Sequence, residues 1–63
     1  MDEKAIRELA TIMQGRGVPY ETGRMISAVA LPNSRQMVNW MKANPKATVE
    51  EMRKKAREIG RDS

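Results

Sequence analysis

The sequence predicts an all-α, compact four-helix domain. Three observations carry that reading: apolar residues recur at helical spacing in four segments, no stretch alternates apolar and polar as a half-buried strand would, and "GRGVP", "LPN" and "NPKAT" punctuate the chain between them. A length of 63 residues makes a single small domain, 1–63. Chains of this size bury only about 60% of the surface their unfolded form exposes, so the core must be economical or shared with a partner.

The first helix is expected over 3–14, with Asp2 as N-cap, Ile6, Leu9, Ala10 and Met13 on one face, and Gly15 as a left-handed stop. The second, over 20–31, has Met25, Ile26, Val29 and Ala30 as its apolar face and is ended by Pro32, because a residue before proline avoids the α region. Tyr20, just after Pro19, reads as a hydrophobic staple at its start. The third helix is expected over 34–43, capped by Asn33 or Ser34 and stopped by Pro45. The fourth, over 49–59, opens with a capping box at Thr48 and Glu51, carries Val49, Met52, Ala56 and Ile59 as a narrow apolar stripe, and meets a stop at Gly60. Glu50 with Lys54 and Glu51 with Lys55 are spaced for ion pairs along that helix. The expected core is Leu9, Met13, Ile26, Val29, Val38, Met41, Met52, Ala56 and Ile59, with Trp40 anchored on it. Six methionines and no Phe make such a core adaptable but poorly specifying, which an oligomeric partner would remedy.

Charge is unevenly distributed. Residues 1–15 sum to −1, whereas residues 16–46 sum to +4, with no acid from Thr22 through Val49. The positive field thus centres on the second and third helices, while the charges of the fourth nearly cancel and mark it as a solvated bundle member, Arg61 being a possible exception. On a helical wheel the third segment places Met37, Val38, Trp40 and Met41 on one side and Arg35, Gln36, Asn39, Lys42 and Ala43 on the other. Arg pairs with guanine edges, Gln and Asn with adenine edges, and Lys with phosphate. Arg35, Gln36, Asn39 and Lys42, with Arg24 and Lys46 nearby, are therefore the candidate DNA-contacting residues. A second helix, the short "LPNS" connection and a third helix also have the layout of a helix-turn-helix, with Ala28 small enough for close approach and Leu31, Val38 and Met41 at positions such a motif buries.

"LPNSRQMVNWMKANP", followed after a gap by "KKAREI", resembles the helix-turn-helix region of phage terminase small subunits and related transposase-type DNA-binding domains, through Leu31, Pro32, Ser34, Val38, Trp40, Met41, Pro45, Ala56 and Arg57. The resemblance spans about half the chain. It implies that the helix holding Trp40 reads DNA, with Arg35, Gln36, Asn39 and Lys42 toward the duplex. Lys46 stands where an aromatic residue often follows the proline, and no ring-assembly segment follows, so the likeness is to the domain and not to a whole terminase subunit.

Without Cys or His, disulfides, thiolate nucleophiles, Cys/His metal sites and imidazole acid-base chemistry are all unavailable. No carboxylate pair has a catalytic spacing and no nucleophile has a base beside it, so neither an enzyme nor a cofactor or metal is expected. "GRG" at Gly15–Gly17 lacks the spacing of a phosphate-binding loop and reads as the end of the first helix. No apolar run approaches a membrane span, and a cytoplasmic location without a membrane partner is the expectation. Two function classes follow: a small DNA-binding helix-turn-helix protein reading duplex DNA through residues 34–43, or a helical protein-protein interaction module, such as a small inhibitor or adaptor, using a basic or Met-rich surface, with a homo-oligomer also open.

Overall fold

The computed structural model describes residues 1–62; residue 63, the last of the expected domain, lies outside the described residues. Helices α1 (Glu3–Gly15), α2 (Tyr20–Val29), α3 (Ser34–Ala43) and α4 (Val49–Arg61) follow in order, with a 3-10 turn at Leu31–Asn33 and no strand among the described residues. The all-α, four-helix expectation holds. α1 is the hub on which both α3 and α2 pack, and α4 closes the far side against α2, the 3-10 turn and α3. α2 and α3 follow one another through the short connection but share little surface, each being seated on α1 and α4.

Local chemistry explains each helix end. Asp2 Oδ1 accepts the Ala5 N–H at 3.0 Å and caps α1. At the other end the Val18 N–H donates to Met13 O at 3.0 Å and the Gly17 N–H to Gln14 O at 3.1 Å, the paired bonds of a Schellman motif. The left-handed residue that motif requires is Gly17, at φ 76°, and not Gly15, which stays helical. α2 stops at Val29, two residues before its expected limit, since Pro32 disfavours the α region at Leu31. The chain tightens instead into the 3-10 turn, whose Asn33 N–H donates to Ala30 O at 3.0 Å. Asn33 then caps α3 by accepting the Gln36 N–H at 3.1 Å.

The capping box of α4 is complete: Thr48 Oγ1 accepts the Glu51 N–H at 3.1 Å and Glu51 Oε1 accepts the Thr48 N–H at 2.8 Å. Thr48→Ala is expected to lower stability by about 1 kcal/mol, read as an earlier urea midpoint, and an unchanged midpoint would show that this cap is dispensable. With Glu51 held in the cap, the anticipated ladder of pairs does not form. Lys55 pairs with Glu58 at 3.6 Å, and Arg57 reaches back to Glu50 at 3.9 Å.

The core joins Leu9 and Met13 of α1, Ile26 of α2, Val38 and Met41 of α3, and Met52, Ala56 and Ile59 of α4, with Ala5, Ala30 and Met37 added to those expected. Val29, expected inside, is 37% exposed, and Leu31, expected at a buried helix-turn-helix position, is 41% exposed. On α2 and its C-cap only Ile26 and Ala30 are fully buried, so Met25 and much of Val29 stay outside. Ala28, expected at a close helix approach, is exposed. The close approach belongs to Gly60. It lies inside α4 rather than ending it, and a Cβ there would sit 2.7 Å from the Val29 carbonyl oxygen. Trp40 is half-buried and packs on the edge of the core. Tyr20 is not a staple: it is the first residue of α2 and 75% exposed, while Val18 packs on the core below it.

Candidate interaction surface

The polar side of α3 is tied to α1. Arg35 Nε donates to Asp2 Oδ2 at 3.1 Å, Arg35 Nη1 to Glu8 Oε2 at 3.3 Å, and Lys42 Nζ lies 3.5 Å from the same Glu8 oxygen. These acids are 33 and 27 residues from Arg35 in sequence. Only the packing of α1 on α3 brings them there, so an acid-free stretch of sequence is not an acid-free surface. The electrostatics agree with the geometry. The Ala5 N–H and then the Arg35 guanidinium hold the Asp2 carboxyl below its ordinary value, the Arg35 hydrogen bond does the same to Glu8, and Asp2 followed by Glu8 holds Arg35 above its own.

Carboxyls whose folded values are depressed contribute stability that is present above their unfolded values of 3.8 and 4.5 and lost as pH falls through the folded ones. The thermal midpoint should therefore fall as the solution is acidified below about pH 4.5, and less steeply in Glu8→Gln than in the parent protein. Equal slopes would mean that the Glu8 pairs contribute nothing to stability in solution. Glu51, lowered by its Thr48 hydrogen bonds, leaves a residual dependence in both proteins.

Of the other expected contacts, Gln36 and Asn39 share the outer side of α3 with Arg35 and Lys42, whereas Arg24 and Lys46 lie off that helix. Gln36 is exposed and its Oε1 accepts from Asn33 Nδ2 at 3.3 Å, whereas the Asn39 side chain is exposed and makes no hydrogen bond among the described residues. Arg24 lies on α2 with its guanidinium 5.8 Å from the Tyr20 ring centroid, and Lys46 is exposed in the turn after α3. Arg16, counted in the positive field, is a clamp: its guanidinium donates to Asn44 O at 3.0 Å and to Met41 O at 2.6 Å, satisfying carbonyls at the end of α3. Its position one residue past Gly15 gave no hint of that partner.

A concavity lies elsewhere, between α1 and α2. It is a groove of about 450 Å³ whose lining includes Ile6, Ala10, Met13, Val18, Tyr20 and Gly23, with Arg24 as its one charged residue. On the outer side of α2, Met25 is 57% exposed and continues into the exposed Val29 and Leu31. Apart from Met1, the exposed large apolar side chains thus lie on α2 and its connection, while α3 exposes mainly polar groups. Among the described residues no cluster of acidic side chains could hold a metal ion, and no helix is long and apolar enough to cross a membrane. Comparison with known protein families, curated proteins and solved structures finds no match for this chain.

Proposed function

We propose that the protein is a helical protein-protein interaction module whose binding face is the outer side of α2. The observation that carries this reading is the placement of Met25, Val29 and Leu31, all exposed along one side of α2 and its connection. A helix that leaves i and i+4 apolar side chains such as Met25 and Val29 in water offers the anchors that an amphipathic partner helix buries. DNA reading by α3 has less support: Arg35 and Lys42 are neutralised by Asp2 and Glu8, whose carboxylates stand beside the reading face and repel phosphate.

The test is a labelled amphipathic peptide of about five helical turns, with Leu on one face and Gln elsewhere, titrated by fluorescence anisotropy. Binding should be lost in Met25→Glu, whose side chain is outside the core, with the melting temperature retained. Equal binding by Met25→Glu, or no binding by the parent protein, would overturn the reading.

A further inference from the structure

Counted along the sequence, the charges of α4 nearly cancel; placed on the folded helix, they separate. Glu51, Lys55, Glu58 and Asp62 recur at helical spacing along one row, which holds three acids and a single cation. Glu50, Lys54, Arg57 and Arg61 form the next row, with three cations and a single acid, and all four are exposed. Arg53 extends this cationic side, since Arg53, Arg57 and Gly60 follow at i, i+4 and i+7. Gly60 is the residue that meets Val29, so Arg57 and Arg53 lie about one and two turns back from that contact on the same side of α4. Among the described residues, the single ion pair on this ridge, Arg57 with Glu50, is longer at 3.9 Å than the others, and Arg53, Lys54 and Arg61 make none.

The seam between α2 and α4 therefore joins two kinds of surface: exposed apolar side chains at Met25 and Val29, and a cationic ridge of Arg53, Lys54, Arg57 and Arg61. From this juxtaposition we infer that the partner of the α2 face is an acidic amphipathic helix, its apolar residues on Met25 and Val29 and its carboxylates on the α4 ridge. The inference rests on the interaction-module reading and adds the partner's charge to it. Three features select this occupant. Arginine's planar fork matches carboxylates two bonds at a time. A second copy of this chain would bring the same cationic ridge against itself, with Glu21 the only acid on the exposed side of α2 to offset it. A nucleic-acid backbone would satisfy the ridge but leave Met25 and Val29 with no apolar partner.

The experiment uses the whole chain and two labelled peptides identical in their Leu face, one carrying Glu and the other Gln on its flanks. The Glu peptide should bind roughly tenfold or more tightly than its Gln twin, and that advantage should vanish on raising NaCl from about 50 to about 500 mM. It should vanish equally in Arg53→Glu/Arg57→Glu, where both substitutions lie outside the buried core and circular dichroism verifies the fold, while Met25→Glu should abolish binding of both peptides. Equal binding of the two peptides would overturn the acidic partner and leave the α2 face standing, whereas binding of neither would remove both. A mixed-sequence DNA duplex or vesicles of phosphatidylserine, bound through the ridge and indifferent to Met25→Glu, would also overturn the inference by assigning the ridge to a polyanion or membrane surface.

Discussion

Replacing Met37 with Ala is expected to lower stability by about 2–5 kcal/mol, the range for deleting most of a fully buried side chain and leaving a cavity. Met37 is 0% exposed and belongs to the core cluster. A chain of 63 residues has a total stability of only about 3–9 kcal/mol at the usual value per residue, so this single change removes a large fraction of it or all of it. The contrast is Met25→Ala, the same chemical change at a side chain already 57% exposed, which should stay within about 0.5 kcal/mol of the parent protein. Urea denaturation of the two variants would separate them, and similar midpoints would contradict the burial pattern. Trp40, half-buried at the edge, should cost less on truncation than the about 3–5 kcal/mol of a fully enclosed tryptophan.

The second large effect is one in which two principles oppose each other. Gly60 is an interior helical residue, and on propensity alone Gly60→Ala would stabilise the protein by about 0.8–1.0 kcal/mol. The Cβ it adds would lie 2.7 Å from a backbone oxygen, that of Val29, and a backbone atom cannot rotate aside as a side chain can. Overpacking of this kind costs about 1–3 kcal/mol, so the steric effect prevails and the substitution should be net destabilising by thermal melting. Gly15→Ala is the internal control: it is helical with nothing within 4 Å of the new Cβ, and should be neutral or stabilising. A stabilising Gly60→Ala would mean that α2 and α4 can slide apart without cost.

The contrast between these glycines shows which features were legible in the chain. Every helix was visible, since caps and apolar spacing act within a few residues: Asp2, Asn33 and the Thr48–Glu51 box all perform the local roles their spacing implies. What the sequence could not convey was which part of an apolar face finds a neighbour. Val29 and Leu31 have the periodicity of core residues, yet the positions fully buried there are Ile26 and Ala30. Gly60 reads as a stop signal because nothing local reveals that another backbone crosses there. The charges failed as a guide for the same reason. Arg35 looked free in an acid-free stretch and is held by Asp2 and Glu8, Arg16 is occupied by the end of α3, and the balanced charges of α4 are segregated into rows.

The central claim, that α2 and not the polar side of α3 is the binding face, is tested most directly by amide chemical-shift mapping of one labelled sample against two ligands. With the Leu-faced peptide, shifts should concentrate at Met25, Val29 and Leu31; with a mixed-sequence DNA duplex at low salt, Gln36, Asn39 and Lys42 should stay in place. Shifts gathered at Gln36, Asn39 and Lys42 on adding duplex, together with release of Arg35 from Asp2 and Glu8, would contradict the account and return α3 to the role of reader.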